Sequence, residues 1–320
     1  MSQAYPLEKK EIPIFFSIND GYVPFLDVAI RSLVANASED YRYRLVVLNT
    51  GIDPQSAENV KGNERENVKI DFVDISQEIA DIEKYFQNLY HFSLATYYRI
   101  FIASLFPEYD KVIYLDSDLV VLDDISKLYN LDLEDNILGG TLEEFIYNTH
   151  EFRRYASEAV GVDPKDYINA GVIVIDLARF RKERIEEKFV ELITRYNFDT
   201  IDPDQAYLNF LCRGKIKMLP LGWNKEPIEF SMDEQVHIMH YALYKKPWQY
   251  DDVMGAEYFW RYAESSPFFK DILAQKNAFD AEAVAKSEAA AKHIKGEALR
   301  IAASDKSFFK TLLSQKGANV

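Results

Sequence analysis

The sequence predicts an α/β fold, a parallel sheet with crossover helices, followed by a helical C-terminal appendage. Three observations predict it. Between residues 12 and 84, short apolar β-branched runs alternate with segments of helical spacing, the grammar of a parallel sheet. A further apolar run, residues 111–122, is interrupted only by Asp116-Ser117-Asp118. Beyond Trp248 the texture changes to Ala, Lys and Glu.

Residues 12–18 read as a buried strand ending in the turn-forming cluster Asn19-Asp20-Gly21. From Val23, the positions Leu26, Ala29, Ile30, Leu33 and Val34 follow helical spacing. Residues 44–48 form the next strand. Asp53 as N-cap and Pro54 in the first turn open a helix. Residues 68–73 are a third strand and residues 74–84 a helix. A helix over 94–106 runs into the strand that carries the two acids. Residues 125–129 make a helical turn, and 137–142 a strand broken by Gly139-Gly140, where a ligand or neighbouring backbone can approach. A helix near 151–160 ends at Gly161. Residues 166–171 lead into a buried strand, 172–175, followed by one long amphipathic helix over 177–196. Asp204 starts another helix after Asp202-Pro203. Residues 215–219 and 235–239 are short strands, and 257–263 a helix.

In the tail, Phe268-Phe269-Lys270 with Leu273 and Gln275-Lys276 recurs forty residues on as Phe308-Phe309-Lys310 with Leu313 and Gln315-Lys316. Two copies are too few for a solenoid. The pattern suits helices packed on the body, or a weak membrane or partner dock through the Phe-Phe-Lys faces. The division expected is residues 1–262 as a catalytic domain and 263–320 as a helical tail.

An apolar fraction of 48% over 320 residues is ample for a core. The net charge of −15 argues against a nucleic-acid surface, although a nucleotide can bind an acidic chain when a metal supplies the compensating charge. Cys212 is the single cysteine, so no intrachain disulfide forms, and it reads as a small core residue. Lys9 and Lys10 precede no signal-like apolar segment, and no apolar run approaches the ~20 residues that span a bilayer. The expected location is cytoplasmic, or peripheral at the inner face of a membrane through the tail.

Asp116 and Asp118 cannot both be buried bare, because an unpaired carboxylate in a low-dielectric core is costly. Their expected place is the carboxyl end of a strand, where ligand crevices open in α/β sheets. Two acids there suit a hard divalent cation. The other reading of the same three residues is an acidic turn between two strands.

Further polar stations follow at strand ends, and together they carry a resemblance. The stretches are Ile14 through Tyr22, Thr96-Tyr97-Tyr98-Arg99, Lys111 through Asp118, and Tyr167-Ile168-Asn169-Ala170-Gly171-Val172. Asp204 through Asn209, then His240 with Lys246-Pro247-Trp248, complete the set. In this order, over residues 12–248, the chain resembles the family 8 retaining glycosyltransferases, which include bacterial lipopolysaccharide galactosyl- and glucosyltransferases and glycogenin. The tail lies outside the resemblance.

The resemblance implies a GT-A fold, with a mixed, mainly parallel nucleotide-binding sheet flanked by helices. It implies transfer of a hexose, glucose or galactose, from a UDP-sugar with retention, dependent on Mn2+ or Mg2+. The acceptor would be a glycan, a lipid-linked glycan or a glycoprotein. Asp116, Asp118 and His240 would hold the metal, and Lys246 would add charge at the diphosphate. Tyr22 would stack on uracil while Ser17, Asn19 and Asp20 bond base and ribose. Arg99 would reach the donor sugar or phosphate; its other reading is a buried ion pair. Asn169, Asp204 and Gln205 would hold the sugar hydroxyls, and Gln205 would lie nearest the anomeric carbon. An amide is a poor nucleophile, which favours front-face transfer over a covalent intermediate. The chain departs from the family pattern at Asn19 and Gly21, where Asp and Asn are common, and at Leu243, where a glycine often follows the histidine. Glu143 aligns loosely with a sugar-contacting Asp. His237 reads as structural.

Two rival readings use the same residues. Haloacid-dehalogenase-like phosphatases also place Asp-x-Asp after a strand, but near the chain start and with a later Gly-Asp, a dipeptide this sequence lacks. A nucleotide-sugar-binding protein that kept the fold without catalysis is the second.

Overall fold

The first strand, β1 (Glu11–Ser17), is buried at every position after Glu11, because both of its faces are covered. In the computed structural model, which describes residues 9–86, 94–228, 235–242 and 245–313, it lies inside a seven-stranded sheet. The remaining strands are β2 (Arg42–Asn49), β3 (Val68–Asp74), β4 (Lys111–Leu115), β5 (Leu119–Val121), β6 (Leu138–Leu142), β7 (Ile168–Asp176), β8 (Ile216–Met218) and β9 (Ile238–His240). The large sheet has the order β3-β2-β1-β4-β7-β6-β8, and β5 pairs with β9 in a small second sheet.

Every pairing in the large sheet is parallel except those of β7, which runs antiparallel to both β4 and β6. The mixed, mainly parallel sheet that the resemblance implies is present: six strands run one way and β7 runs the other. The reversal matters for the site. A reversed strand begins at the edge where its neighbours end, so the start of β7 meets the carboxyl end of β4.

Side chains sort by the two-residue period of the strands. Phe15, Val46, Leu48, Val112, Tyr114, Ile173 and Ile175 enter one core; Ile14, Phe16, Leu45, Val47, Ile113, Leu115, Val172 and Val174 enter the other. The helix Val23–Asn36 lays Leu26, Ile30 and Leu33 on the second core. Asp53 caps the helix Pro54–Lys61 by accepting the Ser56 N–H at 2.8 Å, as the sequence suggests.

Several helices differ from expectation. The long helix over 177–196 is two, Leu177–Lys182 and Ile185–Arg195, because Arg184 turns left-handed at φ 55°. The break lets Ile185, Phe189, Leu192 and Ile193 restart a buried face. Residues 74–84 give only the helix Ser76–Ile79 and a 3-10 turn, Glu83–Tyr85. Leu94–Phe101 is 3-10, tightening to α only over Ile102–Leu105. The strand at 138–142 runs through Gly139 and Gly140, whose missing Cβ atoms make room for Leu133 and Ile168 and not for a ligand.

The tail packs on both cores. Phe268 and Ile272 join the core under the helix Val23–Asn36, while Ala298, Ile301 and Phe308 join the other. The first phenylalanine of each Phe-Phe-Lys copy is thus an anchor. Phe308 meets the rings of Phe198, Tyr207 and Phe210 at 4.3, 4.8 and 5.0 Å. Among the described residues, no helix is long and apolar enough to cross a membrane.

Candidate active site

Four strand ends and one helix start deliver polar side chains to one cleft. The end of β1 supplies Ser17 and Asn19, and the end of β4 supplies Asp116, Ser117 and Asp118. The start of β7 supplies Asn169, Ala170 and Gly171, and the helix Pro203–Cys212 supplies Asp204 and Gln205. His240 arrives on β9, which pairs with β5 directly behind the acids, Leu119 opposite His240. Backbone bonds fix these approaches: Asp116 N–H donates to Gly171 O at 2.7 Å and Tyr241 N–H to Asp118 O at 2.9 Å.

Asp116, Asp118 and His240 each turn one ligand atom inward, and these atoms lie within 4.8 Å of one another. His240 Nε2 is 3.1 Å from Asp118 Oδ1 and 3.9 Å from Asp116 Oδ2. Two carboxylates and an imidazole fit a divalent ion, and Gly171 leaves the space: a Cβ there would lie 2.3 Å from His240 Cε1. Lys246 closes the group with an ion pair to Asp118 Oδ2. Burial alone would raise the Asp118 carboxyl, but Lys246 and His240 hold it well below the usual carboxylate range.

Asp116 rests on a second layer. Arg99 Nη2 donates to Asp116 Oδ1 at 2.8 Å, and Tyr114 OH donates to the same oxygen at 3.0 Å. Tyr114 OH also bonds Ser17 Oγ at 2.6 Å. Arg99 is 3% exposed and spends four of its five N–H donors on Thr96, Ala170 and Asp116, with Asp204 Oδ2 2.9 Å from its Nε. Burial disfavours its charge, and Asp116 and Asp204 more than restore it. The ion-pair arrangement of Arg99 is thus present at the base of the cleft.

On the far side Gln205 is fully engaged. Its Oε1 accepts from Ala170 N at 2.8 Å, and its Nε2 donates to Asp202 at 3.0 Å and Glu143 at 3.2 Å. Asn169 Nδ2 donates to Glu143 Oε2 at 2.6 Å and to Glu226 Oε1 at 3.2 Å. Burial, with Glu143 and Glu144 nearby, pushes Glu226 well above the ordinary range of a carboxyl. Lys225 pairs with Glu144 at 3.0 Å, both buried.

Tyr22, Asn19 and Ser17 line the cleft, as do Arg99, Asn169, Asp204, Gln205 and Lys246. Asp20 is not among the lining residues; its Oδ1 accepts the Asp53 N–H at 3.1 Å and ties the turn to the next loop. Leu243 lies outside the described residues. His237 stacks on Trp223 and pairs with Asp123 at 2.8 Å, away from the cleft lining. Sequence reasoning missed Asn224, Glu226 and Ile294. The polar run Asn224-Lys225-Glu226 after Trp223 is the signal that marks the first two. Ile294, on the tail helix Ala281–Ala303, lines the cleft beside Phe145, Ile146 and Phe152, and nothing in its local sequence points there.

A mixed sheet with acids beyond its central strand, and a histidine brought to them by a separate strand pair, defines a GT-A-type glycosyltransferase fold. The chain belongs to glycosyl transferase family 8, whose sequence profile matches residues 13–252. General stress protein A of Bacillus subtilis is 28% identical over 251 residues, 72% of this chain and 85% of that protein. The galactosyltransferase LgtC, solved with donor and acceptor sugar analogues, superposes with a TM-score of 0.66 at 28% identity, covering 80% of this chain and 96% of that one. The bifunctional glycosyltransferase WbbM shares the fold at a TM-score of 0.72 and 23% identity, covering 85% of this chain and 53% of that one.

Proposed function

We propose that this glycosyltransferase moves a hexose, glucose or galactose, from a UDP-sugar to a glycan or glycoconjugate acceptor, with retention and with a divalent ion held by Asp116, Asp118 and His240. One observation carries the reading: three ligand atoms within 4.8 Å, beside Lys246, at the sheet edge where the cleft opens. A divalent ion there supplies Lewis-acid neutralisation of the departing diphosphate, and the imidazole in the set favours Mn2+ over Mg2+. LgtC, with its donor and acceptor analogues, supports a sugar donor for the same cleft.

The chain's own residues do the rest. Lys246 places a fixed positive charge where the diphosphate leaves. Ser17, Asn19 and Tyr22 hold the nucleoside, Tyr22 by stacking. Asp20 acts on that turn through the Asp53 amide. Arg99 holds Asp116 in place, and Asp204 holds Arg99. Asn169, Glu143 and Gln205 face the sugar as a bonded group. Gln205 has both ends of its amide in use, which suits a positioning role in front-face transfer.

A panel of UDP-sugars with Mn2+, read by mass spectrometry of products, tests the reading. UDP with Mn2+ is expected to raise the melting temperature more than either alone. If it does so and no donor is hydrolysed or transferred, the protein is a nucleotide-sugar binder and the transfer reading falls. Gln205→Ala is expected to keep measurable turnover; a trapped glycosyl–enzyme adduct would overturn the front-face route.

A further inference from the structure

We propose that the C-terminal tail completes the acceptor end of the cleft, where Ile294 and Phe152 form a wall for the apolar face of a hexopyranose ring; this rests on the transfer reading above. The polar groups of the cleft stop short of this end. From Lys246 a line of contacts runs through Asp118, His240, Asn224 and Asn169 to Glu143. Glu143 then caps the helix Glu144–Asn148 by accepting the Phe145 N–H at 3.2 Å, and the lining turns from polar to apolar at this cap. Phe145 and Ile146 from that helix, Phe152 from the next, His150–Arg154, and Ile294 from the tail helix line the cleft beyond it. None of the four has a polar side-chain atom. A donor sugar needs partners for its hydroxyls, which Glu143, Asn169 and Gln205 can offer and this wall cannot. The wall suits the C–H face of a second ring seated beside the first. The ring that carries the attacking hydroxyl must lie against the donor sugar, so the place beside Glu143 belongs to the acceptor.

Helical spacing explains how the tail arrives there. In the helix Ala281–Ala303, Ala298 and Ile301 enter the core, and Ile294 lies one turn before Ala298 on the same face. At that turn the face has run past the core and meets the cleft, which leaves Ile294 half-buried. Phe152 is half-buried too, while Tyr155 and Ala156 just after it are buried. The helix that carries Phe152 and the tail helix pack directly on each other. The tail helix is held at both ends: Asp280 accepts the Ala283 N–H at 3.0 Å, and Arg300 pairs with Asp199 at 2.9 Å. Ile294 therefore belongs to a fixed wall and not to a lid. The tail lies outside residues 13–252, the span that matches the family, so acceptor choice is set partly by a segment beyond that span.

The test uses the full chain with UDP and Mn2+, and as probes the methyl and octyl β-glycosides of glucose and galactose. Saturation-transfer NMR reads which probe protons touch the protein. The ring C–H protons of at least one methyl glycoside are expected to be saturated in the wild type. Ile294→Ala and Phe152→Ala should each weaken binding of that probe roughly tenfold. Ile294→Val, which keeps a branched side chain, should stay within about twofold of wild type. UDP with Mn2+, at the other end of the cleft, should bind these variants with the wild-type constant. Ile301→Val loosens the same helix in the core and should leave glycoside binding in place. A loss there equal to that of Ile294→Ala would make the effect structural and overturn the proposal. Saturation confined to the octyl chain, which would make the wall a lipid subsite, overturns it too, as does unchanged glycoside binding in Ile294→Ala and Phe152→Ala. Should Ile294→Ala fail to fold, Phe152→Ala reads the same wall from a different helix. Failure of the wild type to bind UDP with Mn2+ overturns the transfer reading and this proposal together; UDP binding without any saturated glycoside overturns this proposal alone.

Discussion

Gly171 and His240 leave no room for a methyl group between them: a Cβ at 171 would lie 2.3 Å from His240 Cε1 and 2.7 Å from Asp116 Oδ2. The backbone cannot easily retreat, because Gly171 O accepts the Asp116 N–H and Gly171 N–H is held by Asn169. Gly171→Ala is therefore expected to displace two of the proposed metal ligands at once. Overpacking of this kind costs about 1–3 kcal/mol, so the variant should still fold. Calorimetric titration with Mn2+ should show at least about tenfold weaker binding; an unchanged constant would remove Gly171 from the site.

Asp118 and Lys246 test a different property, the cost of a buried charge. Both are largely buried, and each satisfies the other. Asp118→Ala leaves the ammonium without its counter-ion and should cost about 3–5 kcal/mol in urea unfolding. Adding Lys246→Met removes the stranded charge and should recover much of that stability. Turnover and Mn2+ binding should stay lost in the double variant, since neither residue is restored. Recovery of activity together with stability would mean that the pair is structural only.

Asp202 supplies the pH prediction. It is buried beneath Gln205, accepting from Tyr155 OH at 2.7 Å and Tyr167 OH at 2.6 Å, and burial pushes its carboxyl up to about 7. A raised acid binds its proton more tightly in the folded state. Its contribution is complete below the unfolded value near 4 and is lost as pH rises through about 7. Asn at this position cannot ionise. Asp202→Asn should therefore gain stability relative to wild type between pH 5 and 8, approaching a change on the order of 4 kcal/mol across the full range. Parallel denaturation curves at both pH values, with a constant wild-type–variant difference, would contradict this.

Much of the site was legible because its residues end strands, and strand ends can be read from apolar runs. Asp116, Asp118 and His240 sit where such runs stop or start, Gln205 opens a helix after Pro203, and all four line one cleft. What the sequence hides is direction. Asn169-Ala170-Gly171 precedes a buried run, and in an all-parallel sheet that start would lie at the edge away from Asp116. Only the reversal of β7 places Gly171 beside it, and reversal leaves no mark on a two-residue period. Arg184 hides a helix break in the same way, since its neighbours keep helical spacing on both sides. Asn224 was invisible for another reason: its partners Asn169 and His240 are fifty-five and sixteen residues away, and it joins the site only through those contacts.

The tail offers the last prediction, on whether it belongs to the folded body. Phe308 is 1% exposed and wedges against Phe198, Tyr207 and Phe210, while Ile294 on the preceding helix reaches the cleft. Tyr207 and Phe210 lie on the same helix as Asp204 and Gln205, so the wedge braces the element that carries these two cleft residues. Phe308→Ala should cost about 3–5 kcal/mol, the usual loss for a buried phenylalanine. Phe268→Ala, on the opposite core, should cost a similar amount through its own cluster. Lys306→Ala, at an exposed position, should stay within about 0.5 kcal/mol of wild type. Urea unfolding followed by tyrosine and tryptophan fluorescence separates the cases. A single transition shifted by Phe308→Ala joins the tail to the body. An unshifted main transition, with a separate early one, would make the tail an independent unit that only leans on it.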